Sequence, residues 1–153
     1  TTARGAPAAA RAASIAGGFG GTTGLAVSIG LSIAWNQVGD TVVAAVDVAD
    51  AEGVDRAFAQ SLERLGGLDV LICNAGISIR HGFVDIPREE FDRVMRVNVH
   101  GVFYVSQLAA RHMLAQDNGG AILMTASTSA VTAYRHYADY NASKGALLAM
   151  RDQ

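Results

Sequence analysis

From Thr41 onward the chain alternates short runs of β-branched and small apolar residues with longer blocks whose apolar residues recur every three or four positions, which leaves few folds open. A strand covered on both faces has to be apolar throughout, whereas a surface helix needs only one apolar stripe. The alternation therefore predicts parallel strands joined by crossover helices, an α/β fold. Strands are expected over residues 41–46, 68–73 and 121–125. The first helix is expected after Asp50, with Val54, Phe58, Leu62 and Leu65 on one face and Gly66-Gly67 as its stop. A longer one begins at Pro87, carries Glu89, Glu90 and Asp92 at the positive end of its dipole, and repeats Phe91, Met95, Val99, Val102, Leu108 and Met113 as far as Leu114. Gly101 marks a close-packing point within it, Asn118-Gly119-Gly120 breaks the chain, and a last helix starts near Tyr137.

Ahead of Thr41 the pattern is weaker. Residues 12–16 read as a first strand and 22–35 as a helix, with Gly17, Gly18, Gly20, Gly21 and Gly24 between them, which would complete a βαβ unit. Glycines at a helix N-terminus let backbone N–H groups approach a pyrophosphate, because no Cβ holds the ligand away. Residues 1–39 hold Arg4 and Arg11 but no Asp, Glu or Lys. An organelle presequence is one reading of that bias; the blander ones are a flexible tail over residues 1–10 or a segment altered by a shift of reading frame.

Composition narrows the function class. Half of the 153 residues are hydrophobic and 17% are charged, as expected of one globular domain over 1–153 rather than a disordered or coiled-coil chain. A net charge of −2 leaves no basic face for nucleic acid. The longest apolar run, 25–35, is broken by Ser28, Gly30 and Ser32 and falls short of the about 20 residues that cross a bilayer. Cys73 is the lone cysteine, so a reducing, cytoplasmic location is expected. His81, His100, His112 and His136 lack metal-ligand spacing, and no metal is expected.

Tyr140-Asn141-Ala142-Ser143-Lys144 places a phenol and an ammonium four residues apart, on one face if the segment is helical. A phenol is a poor proton carrier at neutral pH, and a cation within a few ångströms favours its anion. Taken alone, such a pair is more often a surface contact. Here, however, several motifs occur in a fixed order, and in them the sequence resembles the short-chain dehydrogenase/reductase family. Tyr140 and Lys144 match its Tyr-x-x-x-Lys, Ser127 its active-site serine, Asn98 in Val97-Asn98-Val99-His100-Gly101 its helix asparagine, and Asn74-Ala75-Gly76 its Asn-Ala-Gly. Asp47-Val48 matches the aspartate ending the family's third strand, near the adenine.

The resemblance implies a Rossmann-like, doubly wound parallel sheet and an NAD(P)-dependent oxidoreductase that moves a hydride between NAD or NADP and a carbonyl or secondary alcohol. It implies that Tyr140 exchanges the proton, Ser127 bonds the substrate oxygen, Lys144 supports the phenolate and the ribose, and Asn98 holds a water. Gly20, Gly24, Leu25, Asp47, Val48, Asn74, Ala75 and Gly76 would line the cofactor together with Tyr140 and Lys144. The sequence departs from the family in two places. Phe19 and Ala26 replace a threonine and a glycine of the phosphate turn, and the stretch to Asp47 is short by about one strand–helix unit. If residues 41–46 took the second-strand position beside the first strand, Asp47 would reach a ribose 2′-OH and favour NAD. The family's fold also continues past the helix that bears Tyr and Lys. Strand 121–125 is accordingly expected as an exposed edge, with Ala146, Leu147, Leu148 and Met150 uncovered and a homo-oligomer as the outcome. The rival reading is a catalytically silent nucleotide-binding remnant of the same fold, and more remotely a flavodoxin-like phosphate binder.

Overall fold

The computed structural model describes residues 12–16, 31–37, 40–117 and 119–151, with side chains from Val46 onward. Five strands form one sheet: β1 (Ala12–Ala16), β2 (Leu31–Gln37), β3 (Asp40–Val46), β4 (Val70–Asn74) and β5 (Ala121–Met124), in the order β3-β2-β1-β4-β5. The helices are α1 (Ala51–Leu65), α2 (Arg88–Met95), α3 (Gly101–Ala115) and α4 (Ala138–Met150), and a π-helical turn, Arg96–His100, joins α2 to α3. The sheet is a Rossmann-like core: β1 pairs parallel with β4, Ala16 opposite Asn74, and β4 pairs parallel with β5.

One segment differs from its sequence pattern. Residues 31–35, expected at the end of a helix, belong to β2, which runs antiparallel to both β1 and β3. The apolar, charge-free run suits either structure, but Ile33 and Trp35 are strong strand formers at alternate positions and only Val38 and Gly39 separate β2 from β3. Between two strands every backbone N–H and C=O of β2 has a ladder partner within reach, and that tertiary gain overrides the helical pattern. The rest of the expected helix and the glycine cluster, with Gly20, Gly24 and Leu25, lie outside the described residues.

The placement of β2 also corrects the reading of Asp47. Strand β3 does not lie beside β1, because β2 stands between them, so Asp47 is not at a second-strand position. It ends the third strand in the order. Two antiparallel steps make β3 parallel to β1, so the C-terminal ends of β3, β4 and β5 share one edge of the sheet. The strand order reverses between β1 and β4, the crevice where open α/β sheets bind ligands.

Helix α1 stops at Gly66, whose φ of 69° only glycine adopts without strain and whose N–H caps the Leu62 carbonyl. Its face, Val54, Phe58 and Leu65, packs with Val102, Val105, Ala109 and Met113 of α3 over Leu71 and Cys73 of β4. Gly101 is the point of closest approach: a Cβ there would sit 2.7 Å from Val48 Cβ and 2.9 Å from the Val48 carbonyl oxygen. On α4, Leu147 is buried in this core, contrary to expectation, because α4 packs back onto α2 and the π-helical turn. Leu148 and Met150 are half-buried, and with Leu147, Phe103 and Leu123 they line an open groove of about 970 Å³. Strand β5 is the sheet's edge among the described residues, and Leu123 on it is 58% exposed.

Candidate active site

The residues singled out by motif gather at the carboxyl ends of β4 and β5. Asn98 is fully buried in the π-helical turn, a one-residue widening that aims its amide out of the α2–α3 ladder at the loop after β4. Its Oδ1 accepts the Ile77 N–H (2.8 Å), and its Nδ2 donates to the Ile77 carbonyl (2.9 Å) and to Ser143 Oγ (3.0 Å). Ser143, equally buried, donates its own proton to the Tyr140 carbonyl (2.8 Å). One continuous chain of bonds thus ties the loop after β4 to the helical turn that bears Tyr140. Both amide hydrogens of Asn98 are spent in it, so a water could meet this side chain only at the second lone pair of Oδ1.

Lys144 follows one turn after Tyr140 on α4 and is only 4% exposed. Its Nζ donates to the Thr125 carbonyl at the end of β5 (2.6 Å) and lies 5.7 Å from the centre of the Tyr140 ring. Burial lowers its pKa from the ordinary lysine value, since charge is costly away from water. Asn74-Ala75-Gly76 crosses the same place: a Cβ on Gly76 would stand 3.4 Å from Asn98 Oδ1 and 3.6 Å from Lys144 Nζ. An ammonium has three donors and Thr125 takes one. Two remain beside a backbone kept bare by Gly76, an arrangement that fits the vicinal hydroxyls of a nucleotide ribose.

Ser127 stands at the start of the 3-10 turn Thr128–Ala130, where its Oγ accepts the Ser129 N–H (3.1 Å). Among the described residues it makes no hydrogen bond to Tyr140. The Tyr140 ring meets Tyr137 edge to face at 6.5 Å, and its hydroxyl bonds no other described residue. Asp47 is exposed, its Oδ1 accepting the Ala49 N–H (3.0 Å), while Val48 is buried under Gly101.

Two further residues belong to this site. Ser143 lies inside the Tyr-Lys motif, and only its position three residues after Tyr140 hints at a role. Asp139 is 1% exposed; its Oδ1 accepts the Tyr140 N–H (2.8 Å), and its Oδ2 has no partner among the described residues. An acid in the first turn of a helix is an ordinary dipole partner, so its burial had no signature.

Cys73, at the end of β4, is packing: it is 2% exposed, its Sγ is 3.5 Å from Ser106 Oγ, and burial pushes the thiol pKa up to about 11. At pH 8 only about one molecule in a thousand carries the thiolate. Iodoacetamide is expected to leave the native protein unlabelled over hours and to label it at once in denaturant, as read by mass spectrometry; fast native labelling would contradict the packing. Because the native pKa lies above that of an unfolded thiol, this burial stabilises the fold below about pH 9, and that contribution is lost as pH rises towards 11.

A family model described as short chain dehydrogenase matches residues 25–153. Among curated relatives, glucose 1-dehydrogenase of Gluconobacter oxydans is 38% identical over 109 residues, covering 71% of this chain and 41% of the relative. The L-rhamnose 1-dehydrogenase (NAD(P)(+)) of Azotobacter vinelandii is 34% identical over 137 residues, covering 89% and 54%. Among solved structures, a short chain dehydrogenase from Mycobacterium smegmatis superposes with a TM-score of 0.66 at 35% identity, over 69% of this chain and 44% of that one. A gluconate 5-dehydrogenase from Burkholderia cenocepacia, in complex with NADP and tartrate, gives 0.63 at 38% identity, over 66% and 39%. The chain thus spans about half the length of the curated relatives it matches.

Proposed function

The chain belongs to the short-chain dehydrogenase family, and from that premise we propose that its one domain, residues 1–153, binds NAD or NADP and exchanges a hydride with a small-molecule carbonyl or secondary alcohol. The observation that carries this reading is the buried Lys144 ammonium, set between the Thr125 carbonyl, Gly76 and the Tyr140 ring with donors to spare. A nicotinamide cofactor, when bound, supplies or accepts the hydride.

Everything else falls to the chain's own residues. Lys144 holds the ribose hydroxyls, and Asn74, Ala75 and Gly76 lie along the cofactor. Asp47 and Val48 sit towards the adenine, while Gly20, Gly24 and Leu25 would face the pyrophosphate. In the reducing direction the Tyr140 hydroxyl gives its proton to the substrate oxygen, and the Lys144 charge beside the ring stabilises the negative charge left on the phenol. Ser127 Oγ bonds the same oxygen. Asn98 acts through Ser143, holding the Tyr140 turn against the loop after β4.

The test begins with fluorescence titration of NADH and NADPH. Binding of either in the micromolar range, followed by turnover of a ketone or alcohol that depends on Tyr140, supports the reading; no binding of either nucleotide at millimolar concentration refutes it. No helix among the described residues is long and apolar enough to cross a membrane, and a cytoplasmic location with no nucleic-acid partner is part of the proposal. So is self-association. The exposed β5 edge and the groove around Leu123 predict that the 153-residue chain forms oligomers at tens of micromolar and that Leu123→Lys shifts it towards monomer in light scattering. A sharp wild-type monomer peak would contradict this.

A further inference from the structure

We propose that Arg80 forms an anion subsite beside Tyr140, so that the substrate carries a carboxylate or a comparable acidic group as well as its reacting carbonyl or hydroxyl. The proposal rests on the redox reading above and names its substrate class. Arg80 is exposed, four residues beyond Gly76 in the loop after β4, and its guanidinium lies 5.7 Å over the ring of Tyr137. That ring in turn packs edge to face on Tyr140 at 6.5 Å, so one aromatic ring is in contact with both the guanidinium and the Tyr140 ring. The loops are tied together here, because the His81 N–H donates to the His136 carbonyl (3.2 Å). His136 has a φ of 66°, costly for a residue with a Cβ, and strain of this kind persists where the surrounding structure holds a loop in place for a task.

The charges point the same way. Arg80 has no carboxylate within ion-pairing distance among the described residues, and the neighbouring acid, Glu90, is already engaged by His81. Arg135, next to the His136 whose carbonyl bonds the His81 N–H, adds a second guanidinium on the facing loop. A guanidinium fixed over an aromatic face and lacking a counter-ion suits a planar oxyanion, which it can grip through two parallel N–H bonds.

The experiment has two arms on the NADPH-loaded protein. In the first, 4-oxopentanoate and its methyl ester are compared as substrates, a pair that differs only in charge and a methyl group. The acid is expected to have a kcat/KM at least about tenfold above the ester, a preference that Arg80→Gln abolishes and Arg80→Lys partly restores. In the second, malonate is titrated and read by tyrosine fluorescence; its Kd should rise about tenfold or more in Arg80→Gln, with the thermal melt unchanged. Equal malonate affinity in the wild type and Arg80→Gln overturns the subsite, whatever the turnover. Ester and acid used equally, with turnover lost in Tyr140→Phe, overturns it too and leaves the oxidoreductase reading standing. Malonate binding that requires Arg80, without turnover of either compound, supports the subsite and counts against the redox reading.

Discussion

Tyr140→Phe is expected to lower kcat/KM by about 10²–10⁴-fold while leaving NADH and NADPH affinity within about twofold, because one hydroxyl is removed and nothing else. The hydroxyl makes no hydrogen bond to any other described residue, so its loss strands no buried partner. The contacts with Tyr137 and Lys144 are made by the ring, which phenylalanine retains. The rate loss therefore reports proton transfer rather than folding, and a thermal melt within a degree or two of wild type is the control. Steady-state assays with the substrate that the wild type uses best provide the measurement. A variant with more than about a third of wild-type kcat/KM would remove Tyr140 from the chemistry.

The largest effect on stability is expected at Asn98. Replacement by alanine takes three hydrogen bonds from the protein interior and leaves the Ile77 N–H, the Ile77 carbonyl and Ser143 Oγ without the partner they now have. Each unsatisfied buried group costs about 1–3 kcal/mol, so a loss on the order of 4 kcal/mol is reasonable where total stability is about 5–15 kcal/mol. The melting temperature should fall by roughly 10 °C. Asn98→Asp keeps the acceptor for Ile77 but presents an acceptor where Nδ2 donates, and should recover little of this. Calorimetry of the two variants decides the matter: a shift under about 2 °C for Asn98→Ala would mean that the bridge contributes little. Activity should fall with stability, because the same bridge holds the turn that carries Tyr140.

The motifs read from the chain correspond unevenly to what surrounds them in space. Tyr140 and Lys144 share a face because four residues make about one helical turn, a local rule that needs no knowledge of the rest of the fold. The same holds for the Gly66 stop of α1 and for Gly101, where a missing side chain in an otherwise apolar helix marks close contact. Ser127 matched a motif too, yet its oxygen is engaged by Ser129, and its reach to a substrate oxygen depends on a ligand. The place of Arg80 has no local signature, since nothing within ten residues shows that a tyrosine from the other loop lies under it.

Segments from Thr41 onward carry periodicities strong enough that each specifies its own element, and their alternation implies that β4 and β5 pair in parallel across a crossover helix. Contacts across long separations did not follow from any such pattern. Asn98 finds Ile77 across 21 residues and Ser143 across 45, Asp139 is buried without an apolar signature, and β2 is a strand because β1 and β3 flank it. The physical difference lies in what satisfies the backbone and the polar groups. A helix closes its own hydrogen bonds within four residues and can be read locally, whereas a strand or a buried amide depends on partners that exist only once the chain has folded.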